Sequence, residues 1–72
     1  MQPTEPETWT AVGSSNVDGA VYYPDTGLIE VTFSRDGSVY TYGPVEPGIW
    51  AGLQSAPSAG RYVRQVLQGY QR

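Results

Sequence analysis

The sequence predicts an α+β domain: an antiparallel β-meander of three to four strands followed by two α-helices packed on one face. Three observations carry this reading. Apolar and polar residues alternate through the first half of the chain, the period of a half-buried strand. Turn-forming residues separate those runs. After Gly43-Pro44 the apolar spacing changes to that of a helix.

Residues 1–8 are acidic and proline-rich and read as a flexible tail, which leaves 9–72 as the single folded domain. Trp9 to Gly13 is the first short strand, and Ser14-Ser15-Asn16 the turn after it. Val17 to Tyr23 is the second strand, ended by Pro24-Asp25-Thr26-Gly27. Ile29, Val31 and Phe33 then alternate with Glu30, Thr32 and Ser34, and Asp36-Gly37 supplies the positive-φ positions of a hairpin. Tyr40 and Tyr42 follow at strand spacing. One face of the sheet thus carries Tyr22, Ile29, Val31, Phe33, Tyr40 and Tyr42.

Pro47 suits a first helical turn, where its missing N–H costs nothing. Ile49, Trp50 and Leu53 lie along one side of that helix. Pro57 stops it, and Ser58 caps the next. In the second helix Tyr62, Val63, Val66, Leu67 and Tyr70 make an apolar stripe, with Arg61, Arg64, Gln65, Gln68 and Arg72 opposite. Both helices need an apolar surface to cover, and the aromatic face of the sheet is the one on offer.

The chain has 72 residues, enough for one domain with a thin core. It has no Cys and no His, which removes disulfides and the usual zinc ligands together. Six Tyr, two Trp and one Phe are left to fill the interior. Net charge is −3, unevenly placed. Residues 1–34 hold five acids and no base, whereas 35–72 hold four Arg against Asp36 and Glu46, for +2. No apolar run approaches the ~18 residues of a membrane span, and the acidic start is unlike a signal peptide. The expected location is the cytoplasm, that of the host if the protein is phage-encoded.

The chain resembles the KTSC domain family from Val12 to Tyr70. The matching residues include Ser14-Ser15-Asn16-Val17, Tyr22, Pro24-Asp25-Thr26, Ile29-x-Val31-x-Phe33, Gly37-x-x-Tyr40-x-Tyr42, Val45, Leu53 and Ala56-Pro57-Ser58-x-Gly60-x-Tyr62. Such domains occur at the C-terminus of some lysyl-tRNA synthetases and as free-standing bacterial and phage proteins. The resemblance implies the fold above and a link to the nucleic-acid machinery. Val63-Arg64 stands where the family commonly has Phe-Asn, and Leu67-Gln68 where it has Ile-Arg, so contacts made by those family residues do not carry over.

General acid–base and covalent catalysis draw mostly on His, Cys, Lys or an activated Ser. This chain lacks the first three, and Ser14, Ser15 and Ser58 read as turn and cap residues. The expectation is no enzyme, no cofactor and no metal; Asp25-Thr26-Gly27 lacks the later ligands of a calcium loop. Binding remains. The candidate contact face is Arg61, Arg64, Gln68 and Arg72, with Trp50 beside them, because Arg and Trp are residue types that dominate interfaces. Tyr22, Tyr40 and Tyr42 are assigned to the core rather than to a base-stacking platform, and Trp9 and Tyr23 are the aromatics expected to stay exposed. Three Arg neutralise about three phosphates at most. A protein partner within the nucleic-acid machinery is therefore expected first, RNA or single-stranded DNA second. A small virion component or homo-oligomer is the third reading.

Overall fold

The structure, a computed structural model, describes residues 5–12 and 16–72. Four strands form one antiparallel sheet in chain order: β1 (Glu7–Thr10), β2 (Val17–Tyr23), β3 (Leu28–Phe33) and β4 (Val39–Tyr42). Two helices follow, α1 (Pro47–Ser55) and α2 (Ala59–Gln65), then a 3-10 turn over Leu67–Tyr70. The α+β meander with two helices on its aromatic face is the fold the sequence pattern predicts.

Register explains which side chains reach the core. Glu7, Tyr22, Ile29 and Tyr42 lie opposite one another across the four strands, as do Trp9, Ala20, Val31 and Tyr40. Both rows point to the helix side, since residues directly paired share a face. Tyr22, Ala20, Ile29, Val31 and Tyr42 are buried there, with Trp50 and Leu53 of α1, Val63 of α2 and Leu67 closing over them. Trp50 stacks on Tyr22 at 5.4 Å between ring centroids, and Trp9 meets Trp50 edge-on at 6.5 Å. The hairpin turns follow their composition: Gly27 and Gly37 hold φ of 77° and 75°, a region L side chains avoid.

Helix ends are as legible. Pro47 occupies the first turn of α1, and Ala56, the residue before Pro57, is extended as that position favours. Ser58 caps α2, its Oγ accepting the Arg61 backbone N–H at 3.3 Å. Tyr62 ties the two helices together by donating its hydroxyl to the Ile49 carbonyl at 3.0 Å.

Several expectations are corrected. β1 begins at Glu7 and not at Trp9, so Glu7 and Thr8, placed in the tail by composition, pair with Tyr22 and Val21. Gly13, Ser14 and Ser15, the expected strand end and turn, lie outside the described residues. Trp9 is half-buried on the core face and Tyr23 half-buried on the other, where its hydroxyl donates to Glu30 Oε1 at 2.8 Å. The second helix is shorter than its apolar stripe. It ends at Gln65 because the following residues bond to β4 instead: Gly43 N–H donates to the Tyr70 carbonyl, Arg72 N–H to that of Thr41, and Gln71 bridges to Tyr42. Tyr70 is consequently 40% exposed.

Candidate functional site

A groove lies between α2, with the turn after it, and the β3–β4 hairpin. The space is about 540 Å³, within the size range of ligand sites. Phe33 and Tyr40 supply an aromatic wall, meeting edge-on at 5.3 Å. Tyr40 is 44% exposed, so the expectation that it lies in the core is overturned. Its register places it on the core face of the outermost strand, but the helices leave it nearly half uncovered there. Tyr42, two residues on, is buried, and burial, then the neighbouring Tyr40, raise its phenol above the ordinary range.

Charge comes from both walls. Arg64 and Gln68 line the groove from the α2 side, Arg35 and Asp36 from the hairpin, Asn16 from the start of β2, and Gln71 from the end of the chain. Asp36 is turned to its own loop, where its Oδ1 accepts the Ser38 N–H at 3.0 Å. Hydrogen bonding from Ser38, side chain first and backbone second, holds that carboxyl below its ordinary value. Two guanidiniums thus face the groove against one carboxylate already engaged. The other acids of the described chain, Glu5, Glu7, Asp18, Asp25, Glu30 and Glu46, do not line it.

The residues singled out from sequence divide. Arg64 and Gln68 stand in the groove. Arg61 is exposed on α2 outside it. Arg72 follows the 3-10 turn and lies beside β4 with its N–H bonded to Thr41, so the three arginines do not share one helix face. Trp50 is only 4% exposed and is a core residue, its indole Nε1 donating to Glu7 Oε1 at 3.1 Å. The i, i+3 spacing of Trp50 and Leu53 was the signal for this. Sequence reasoning missed Arg35, Asn16 and Tyr40, because nothing local connects a hairpin turn to a helix roughly thirty residues later.

A second, smaller hollow of about 250 Å³ lies around the other side of the α2 start. Trp9, Val12, Gln54, Pro57 and Ser58 line it, and Asn16 lines both spaces. The Asn16 side chain rests against Gly60, where a Cβ would stand 2.9 Å from its Nδ2. No group of three or more His, Cys, Asp or Glu gathers among the described residues, and no described helix is long and apolar enough to cross a membrane.

Comparison with known proteins places this architecture. A profile of the KTSC domain matches residues 13–70. The crystal structure of a KTSC domain protein from Yersinia pestis superimposes with a TM-score of 0.80, at 28% identity, over 94% of this chain and 93% of that one. No curated protein matches. The chain belongs to the KTSC domain family.

Proposed function

We propose that the protein is a non-catalytic binding module whose groove between α2 and the β3–β4 hairpin takes an unpaired stretch of single-stranded nucleic acid. The observation that carries this is the half-uncovered ring of Tyr40 in a groove that Arg35 and Arg64 also line. Aromatic rings beside cations are how single strands are held without regard to sequence: bases stack and guanidiniums meet phosphates. Carboxamides at Gln68 and Gln71 line the same groove and can donate to and accept from a base edge. The binding is weak by this reading. Two arginines give a salt slope of about −1.4 on logarithmic axes, taking ~0.7 per phosphate for single strands.

Docking on a protein of the nucleic-acid machinery is the second reading, favoured by the net charge of −3 and by Arg61, exposed outside the groove. Titration of wild type, Tyr40→Ala, Arg64→Glu and Arg61→Glu with a fluorescent hexanucleotide at two salt concentrations separates the two. The expected result is measurable binding by wild type and Arg61→Glu, lost in the two groove variants. Absence of binding by folded wild type, with a pulled-down protein that survives nuclease, would install the protein reading instead.

A further inference from the structure

We propose that the Tyr42 hydroxyl is the specificity contact of the groove, donating a hydrogen bond to a carbonyl oxygen of the base that stacks on Tyr40. The site then selects carbonyl-bearing bases. The inference deepens the single-strand reading of the groove and rests on it.

Tyr42 is 4% exposed, and its ring belongs to the core. A buried tyrosine usually sets its hydroxyl against a protein acceptor. Tyr23 and Tyr62, less buried, do so, donating to Glu30 Oε1 and to the Ile49 carbonyl. The Tyr42 hydroxyl has no hydrogen-bond partner among the described residues. Yet no buried side-chain nitrogen or oxygen among them lacks a partner. The hydroxyl is therefore reached from outside, and the space that Tyr42 lines is the groove.

Depth decides which part of a ligand meets it. Tyr42, Gly60 and Val63 are buried and form the floor of the groove, whereas Arg35, Arg64, Gln68 and Gln71 are exposed and form its rim. A phosphate at the floor would shed its water among apolar neighbours, so it stays with the guanidiniums at the rim. The floor takes a neutral group. An apolar one would leave the hydroxyl unpaired, which a site built around a hydrogen bond rejects. A base carbonyl is neutral and accepts. Tyr40 is two residues away on the same strand, about 7 Å at ~3.4 Å per residue, so a base resting on its ring reaches across to Tyr42. Burial, then the neighbouring Tyr40, hold the Tyr42 phenol above its ordinary range, which keeps it a protonated donor at neutral pH.

The test titrates wild type and Tyr42→Phe with hexathymidylate and with a hexamer of the difluorotoluene isostere, which keeps the shape of thymine and replaces its carbonyls by C–F. Tyr42→Phe removes a hydroxyl that bonds nothing in the protein, so its thermal melt should match that of wild type. Wild type should prefer thymidylate about three- to tenfold, the worth of one hydrogen bond. Tyr42→Phe should weaken thymidylate by the same factor, leave the isostere unchanged and lose the preference. The contact is overturned if Tyr42→Phe binds both ligands as wild type does, weakens both equally, or melts well below wild type, while Tyr40→Ala and Arg64→Glu still abolish binding. If those two variants bind like wild type, or wild type binds neither ligand, the groove reading itself fails and the contact falls with it.

Discussion

Tyr40 and Tyr42 sit two residues apart on one strand and face the same side, yet the structure gives them different roles. Replacing each by alanine separates those roles. A fully buried aromatic truncated to alanine costs about 3–5 kcal/mol, and Tyr42, 4% exposed, belongs in that class. Tyr40 is 44% exposed. Roughly half of a ring that can bury about 200 Å² then leaves water, which at about 25 cal/mol/Å² gives ~2.5 kcal/mol. Compactness of the unfolded chain lowers this to about 2 kcal/mol. Tyr40→Ala should therefore cost at least about 1 kcal/mol less than Tyr42→Ala, a gap of roughly 4–8 °C in Tm for a domain this size. Its effect on binding should run the other way, with oligonucleotide affinity down about five- to a hundredfold, the worth of one stacked base. Urea denaturation of the three proteins, followed by titration of those that remain folded, measures both quantities. Equal destabilisation by the two substitutions would return Tyr40 to the core and remove the stacking wall of the groove.

Two glycines should respond oppositely to alanine. A Cβ at Gly52 would collide with the Tyr62 hydroxyl that joins α1 to α2, so Gly52→Ala should lower stability by about 1–3 kcal/mol despite the better helix former. Gly69 has open space around it and an ordinary φ, so Gly69→Ala should add about 0.4–1 kcal/mol by restricting the unfolded chain; thermal melts check both. The Tyr23 phenol is held above its ordinary range, first by its hydrogen bond to Glu30, then by desolvation and the Glu30 charge. A raised pKa stabilises the fold below the unfolded value near 10 and that contribution is lost as pH rises through the folded value. Absorbance titration should show a late Tyr23 transition that moves back toward 10 in Glu30→Gln; an unmoved transition would mean that the pair does not form.

What the sequence could reveal was set by distance along the chain. Ile29-x-Val31-x-Phe33 and Tyr40-x-Tyr42 state their period within a few residues, and Asp36-Gly37 states its turn, so the meander was legible. Pro47, Pro57 and Ser58 mark helix ends by chemistry that acts within one turn. The start of β1 was not legible, because Glu7 and Thr8 become strand only through pairing with Tyr22 and Val21. Composition called those residues tail. The groove was hidden for the same reason: Arg35, Asn16 and Arg64 belong to three segments that meet only after folding. All four arginines follow residue 34, and two of them, Arg35 and Arg64, line the groove.

The end of α2 shows how a local pattern loses to a nonlocal one. Tyr62, Val63, Val66, Leu67 and Tyr70 would have made a continuous apolar stripe on one longer helix. Against that stood the free edge of β4, whose backbone groups need partners. Tightening residues 67–70 into a 3-10 turn brings Tyr70, Gln71 and Arg72 alongside Gly43, Tyr42 and Thr41, where they seal that edge. Leu67 stays wholly buried in the exchange, so the core loses little. Tyr40, two residues before Tyr42 on the same strand, keeps 44% of its surface exposed. The same bonds that protect the sheet edge set Gln71 beside Tyr42 at the border of the groove, which ties the proposed binding surface to the fold's solution for its last strand.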